Sequence, residues 1–200
     1  MKQMNDRIHE ISQFLQPYMG ECFQKSCELI QSEIEIRGNE IWKEIKSAIG
    51  KALRSLVSAQ DRQQKGAFQY LVFGFLKSSI YLDRLVFYIE CLDDRFYLDE
   101  EEASILFNIA FLEDKYRNDI TYLHHKVKEK FIRLKEHELL YVNDQYASYY
   151  YAIAYRMIEN LSELIMQEIT GSDARISNKF KILYGEYMDS ATVIYSRESQ

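Results

Sequence analysis

Apolar residues at Met4, Ile8, Ile11, Leu15, Tyr18 and Cys22 recur at spacings of four and three, the rhythm that places side chains on one face of an α-helix. Pro17 falls inside this stripe without the amide that a helix interior needs. The pattern therefore predicts either a kink there or a second helix with Pro17 in its first turn. The rhythm resumes through Cys27, Ile30 and Ile34, and Gly38-Asn39 is expected to turn the chain, with Asn39 capping the next helix. That helix has Ile41, Ile45, Ile49, Leu53 and Leu56 on its apolar face, with Lys43, Lys46, Lys51 and Arg54 on the polar side.

The polar stretch from Asp61 to Lys65 ends that rhythm. Phe68 to Leu82 is apolar nearly all round and reads as a central helix covered on most sides. Leu85 to Leu98 changes character. Leu85-Val86-Phe87-Tyr88-Ile89 and Phe96-Tyr97-Leu98 favour strands, and Asp93-Asp94 between them has turn chemistry, so a short β-hairpin is expected. The competing reading continues the central helix to Cys91.

Asp99 followed by Glu102 has capping-box spacing, which predicts a long helix carrying Ile105, Ile109, Leu112, Tyr116, Ile120, Leu123, Val127, Phe131 and Leu134. After a break between His137 and Asp144, Tyr150, Ile153, Met157, Leu161, Leu164 and Glu168 mark another helix, ended by a left-handed Gly171. Ser172 or Asp173 then starts a last one with Ile176, Phe180, Leu183, Tyr187, Ala191 and Ile194 inward.

The expected fold is mainly α: a multi-helix bundle of long antiparallel helices with one short β-hairpin at about 85–98, in a single helical domain, 1–200. Residues 1–38 form either its kinked first helix or an appendage. Composition agrees, since 47% hydrophobic residues rule out a disordered chain, while one proline and seven glycines supply too few turns for an all-β one.

A net charge of −6 argues against a polyanion-binding protein, because duplex binding draws on many cationic contacts; nucleic acid is not an expected partner. The three cysteines, Cys22, Cys27 and Cys91, lack paired metal spacing and read as reduced thiols. The start of the chain has no apolar leader, and Ala67–Leu82 is too short to span a membrane, so a cytoplasmic protein without a membrane span is expected.

Motifs that carry chemistry are scarce. The only acidic-x-x-His is Asp6 with His9, so a di-metal bundle site, which needs two such pairs, is not expected. His137-Glu138 begins like a zinc protease helix but has Tyr141 where the second ligand belongs. His124 and His125 point about 100° apart on a helix and cannot share one buried ion. With no phosphate loop or nucleophile elbow, the chain leans away from an enzyme, and no cofactor or metal is called for.

Two constellations remain. Tyr146 and Tyr150, among sixteen tyrosines, could line a pocket between helices together with His125. The acids Asp93, Asp94, Glu100 and Glu101 could meet the basic helix of Lys43, Lys46, Lys51 and Arg54, in the same chain or in another copy.

The blocks Phe75-Leu76-Lys77-Ser78-Ser79-Ile80, Phe87-Tyr88-Ile89-Glu90 and Asp93-Asp94-Arg95-Phe96-Tyr97-Leu98-Asp99 resemble a group of uncharacterised bacterial helical proteins. The resemblance implies a helix followed by paired strands and carries over no functional residue. The expected function is a non-enzymatic helical interaction protein, a homodimer or the binder of a protein partner. The alternative is a small-molecule sensor or enzyme with a pocket between helices.

Overall fold

A computed structural model describes residues 2–99 and 102–197, with side chains from residue 6 onward except that of Tyr97. Helix α1 is Lys2–Asp61, followed by strand β1 Phe68–Phe75, a 3-10 segment Lys77–Leu82, β2 Phe87–Leu92, a 3-10 turn Phe96–Leu98 and β3 Ser104–Phe107. Helices α2 Ala110–Lys130, α3 Glu136–Asn160 and α4 Ser162–Thr170 come next, then β4 Ile176–Glu186 and β5 Ala191–Ser196.

The bundle expectation is overturned by a five-stranded mixed sheet of order β3-β2-β1-β4-β5, so the fold is α+β and not all-α. β1 runs parallel to β4, and every other neighbouring pair is antiparallel. The expected central helix from Phe68 is the middle strand of this sheet. A segment buried on both sides is apolar all round whether it coils or extends, and eight residues rich in Phe, Tyr and Val settle on a strand.

The expected hairpin is half correct. Phe87–Leu92 is a strand, but Phe96–Leu98 is one 3-10 turn, and β2 pairs with β1 and β3 instead. The long helix expected from Asp99 starts only at Ala110, because Ile105 belongs to β3. The expected break between 137 and 144 lies inside α3. Gly171 follows α4 at φ −79°, not left-handed, and the expected last helix is the β4–β5 hairpin. In β4 Phe180, Ile182 and Tyr184 share one face of the sheet while Leu183 is buried on the other, a two-sided burial that the helical spacing of Phe180, Leu183 and Tyr187 had concealed.

α1 runs through Pro17 and through Gly38-Asn39 without interruption. Leu15 and Met19, on either side of the proline, are both buried, so packing outweighs the missing bond.

The chain forms two compact units. The first holds the chain up to Gly38, Ser78–Leu85 and Ala110–Ala152; the second holds Asn39–Lys77, Val86–Ile109 and the chain from Ile153. The first is helical, with Ile11, Leu15, Ile30, Leu112, Tyr116, Ile120, Leu123, Tyr146 and Tyr150 in its core. Arg7 Nε donates to Glu138 Oε1 at 2.6 Å, and Phe14 meets Phe131 edge to face. Asn143 ties the 78–85 segment to α3 by donating to Asp83 Oδ1 at 2.7 Å and to the Ile80 carbonyl.

The second unit contains the sheet. On one face Leu71, Phe73, Ile89, Cys91, Phe180 and Ile182 are fully buried, and Tyr155 of α3 packs on Tyr184. Gln60, at the end of α1, donates to the carbonyls of Gly66 and Arg175 and accepts from the Arg175 amide at 2.9 Å, anchoring the starts of β1 and β4. The opposite face has a smaller cluster of Val72, Tyr88, Leu92 and Leu183, flanked by Tyr70, Leu76 and Phe96.

Candidate functional site

The acids from Asp93 to Asp99 fold inward. Asp93 is buried and accepts from the Gly66 amide at 3.0 Å and from Arg95 Nη2 at 2.7 Å. Burial opposes its charge, but the hydrogen bonds from Arg95 and from the Gly66 and Arg95 amides outweigh that and hold its pKa at about 2. Asp99 is buried against Lys65 and also accepts from Arg95 Nη2 at 3.0 Å. The result is an ion network, Lys65–Asp99–Arg95–Asp93, that fixes the β2–β3 connection. Asp94 stays exposed, and Glu100 and Glu101 lie outside the described residues.

On the basic side, Lys43, Lys51 and Arg54 are exposed, and Lys46 pairs with Glu168 of α4 at 2.5 Å. The structure therefore brings Lys46 to α4. Asp93 and Asp99, both buried in their own ion network, do not offer the acidic surface expected to face this helix.

Tyr146 and Tyr150 are fully buried, and both hydroxyls donate to Asp119 Oδ2, at 2.7 and 2.6 Å, joined there by Ser26 Oγ at 2.7 Å. His125 is exposed and pairs with Glu129 at 3.3 Å, so it does not share a pocket with the two tyrosines. Burial and then Asp119 push both phenols upward, and push the Cys22 thiol up to about 12. At neutral pH this cluster supplies neither a thiolate nor a phenolate, and its visible work is structural. Asp119 was missed from sequence although a signal existed. It is an acid set between Tyr116 and Leu123 on the apolar stripe of α2, a position that demands buried partners.

Two surface features of the second unit are open to ligands or partners. The first is a groove of about 690 Å³, lined on one side by α1 residues between Gly50 and Asp61 and by Arg62 just after the helix, and on the other by Glu168 and residues 171–173. Its volume lies in the range of small-ligand sites.

The second is the less covered sheet face together with its β5 edge. Register sets Leu106, Tyr88, Gly74, Gly185 and Ala191 in one row across all five strands, and Ser104, Glu90, Val72, Leu183 and Val193 in the next. The centre of these rows is buried, whereas Leu106 and Val193 at the two ends are 62% and 48% exposed. Tyr187 packs edge-on against Tyr88 at 5.2 Å and is also half exposed. β5 carries no charged residue from Ala191 to Ser196, pairs only with β4 among the described residues, and has an extra residue at Ile194 that bulges the ladder.

Among the described residues no group of three His, Cys, Asp or Glu is placed to hold a metal, and no helix is long and apolar enough to cross a membrane. No protein-family model, no curated protein and no solved structure matches the chain, so geometry alone carries the functional reading.

Proposed function

We propose that this is a self-associating interaction protein whose copies join edge to edge through β5. The observation that carries the reading is the character of that strand: six uncharged residues at the edge of a sheet, with the half-exposed Val193 at its middle. Sheet edges that stay single are usually blunted by charge, proline or a bulge, because an open row of amides and carbonyls invites another strand. β5 has no charge or proline, and its one bulge, at Ile194, leaves Ala191–Val193 as regular strand.

A second copy is the simplest occupant. Antiparallel pairing of a strand with itself is two-fold symmetric and self-complementary, as closed dimers require. The register that places Val193 opposite its own copy centres the pairing on the half-exposed apolar position of the strand. The same symmetry keeps the two Tyr88–Leu183 faces on one side of the joined sheet, where Val193, Tyr187 and their copies form a continuous apolar strip.

Sedimentation velocity on the full chain tests the reading. The native protein sediments as a dimer at high concentration, and Val193→Lys, which sets two cations opposite each other at an exposed position, sediments as a folded monomer. A native chain that is monomeric at every concentration, or a dimer indifferent to Val193→Lys, refutes it.

A further inference from the structure

We propose that the groove beside the end of α1 binds a short zwitterionic peptide, with Arg54 taking its carboxylate and Asp61 with Asp173 its ammonium group. Arg54, Ser58 and Asp61 succeed one another at four and three residues on α1, so they stand along one wall of the groove. Leu53 and Val57, on the same wall, supply apolar surface between the charges.

The remaining charges of the groove are engaged within the fold. Glu168 is held by Lys46, and Arg62 donates to Gln64. The side chains of Arg54, Asp61 and Asp173 make no hydrogen bond or ion pair within the described residues, which leaves a cation at one end of the groove and, at the other, two anions that outweigh the positive charge of Arg62. The Arg54 side chain runs back along α1 to Gly50, where a Cβ would be 3.5 Å from Nη1, so its guanidinium lies along the groove wall.

The separation of these charges selects the ligand. Because the Arg54 guanidinium lies at the level of Gly50, eleven residues of helix, about 16 Å, separate it from Asp61, and an extended chain of three residues, about 10 Å, with a hydrogen bond of about 3 Å at each end covers that distance. A free amino acid is too short to reach both ends. A purely anionic ligand would meet Asp61 and Asp173 with like charge, and a purely cationic one would meet Arg54. Guanidinium binds carboxylate in a planar fork, which favours a terminal carboxylate at that end.

Calorimetric titration with trialanine tests the assignment, using its N-acetylated and C-amidated forms as controls and following backbone amide signals of Gly171 and Ser172. Trialanine should bind and shift those signals. Blocking either terminus, or introducing Arg54→Gln or the double change Asp61→Asn with Asp173→Asn, should weaken binding by about tenfold or more, the loss carried by one charge-assisted hydrogen bond. All three positions are exposed, so the variants keep the fold, which circular dichroism verifies. Absence of trialanine binding, equal binding of a blocked peptide, or equal binding by the Arg54→Gln variant overturns the proposal. None of these outcomes bears on β5 pairing.

Discussion

The ring of Tyr88 lies across Gly74, its partner on the neighbouring strand, so closely that a Cβ at position 74 would fall 2.0 Å from the ring. Glycine is thus a packing requirement of the less covered sheet face, where Tyr88 must lie flat to reach Tyr187 and shield Val72. Gly74→Ala should lower stability by about 1–3 kcal/mol through overpacking, read as a drop in the urea midpoint. Adding Tyr88→Leu should recover part of that loss. Additive costs would show that the two residues do not oppose each other.

The helices were the legible part of this fold, and of the sheet only β2 was. Helical stripes announce α1, α2 and α3 because each of these helices buries one face in a chain with few breakers. β1 is buried on both sides, so no alternation marks it, and its parallel partner β4 lies about a hundred residues away, beyond any local pattern. The site was legible only in pieces. Arg54 was singled out for its charge, but Asp173 lines the same groove only because α1 and the turn after α4 come together, and β5 was read as helix.

Asp119 organises the helical unit by accepting three hydroxyl protons on one buried oxygen. Removing a hydroxyl leaves the carboxylate short of a donor, so Tyr146→Phe should cost about 1.5–3 kcal/mol in urea unfolding. Tyr150→Phe should cost a similar amount. Because both phenols share Oδ2, the double variant should lose an amount that differs from the sum of the two. Single losses near zero would mean that the network does not hold the unit together.

Two carboxyls of the sheet unit should give the acid side of the stability profile opposite contributions. Asp93 falls from 3.8 in the unfolded chain to about 2 in the fold, so its contribution is complete above about pH 4 and is lost as pH falls through about 2. That contribution should be about 1–2 kcal/mol, reduced by the half-exposed position of Arg95, and Arg95→Gln should flatten this limb. Glu90 moves the other way. Burial raises it above 4.5, Lys65 pulls it back, and Oε2 is buried without a hydrogen bond among the described residues, so the fold favours the neutral acid and loses stability as pH rises past 4.5. Glu90→Gln should therefore raise the urea midpoint at neutral pH and leave it little changed at pH 3, as measured across a series of buffers. A lower midpoint at neutral pH would contradict this sign.

Edge pairing of β5 is tested most directly by amide hydrogen exchange followed as a function of protein concentration. Dimerisation through β5 predicts that exchange in Ala191–Ser196 slows as concentration rises, while the opposite edge strand, Ser104–Phe107, exchanges at a constant rate. Exchange in β5 that is independent of concentration, or protection that appears at Ser104–Phe107 instead, would contradict the account.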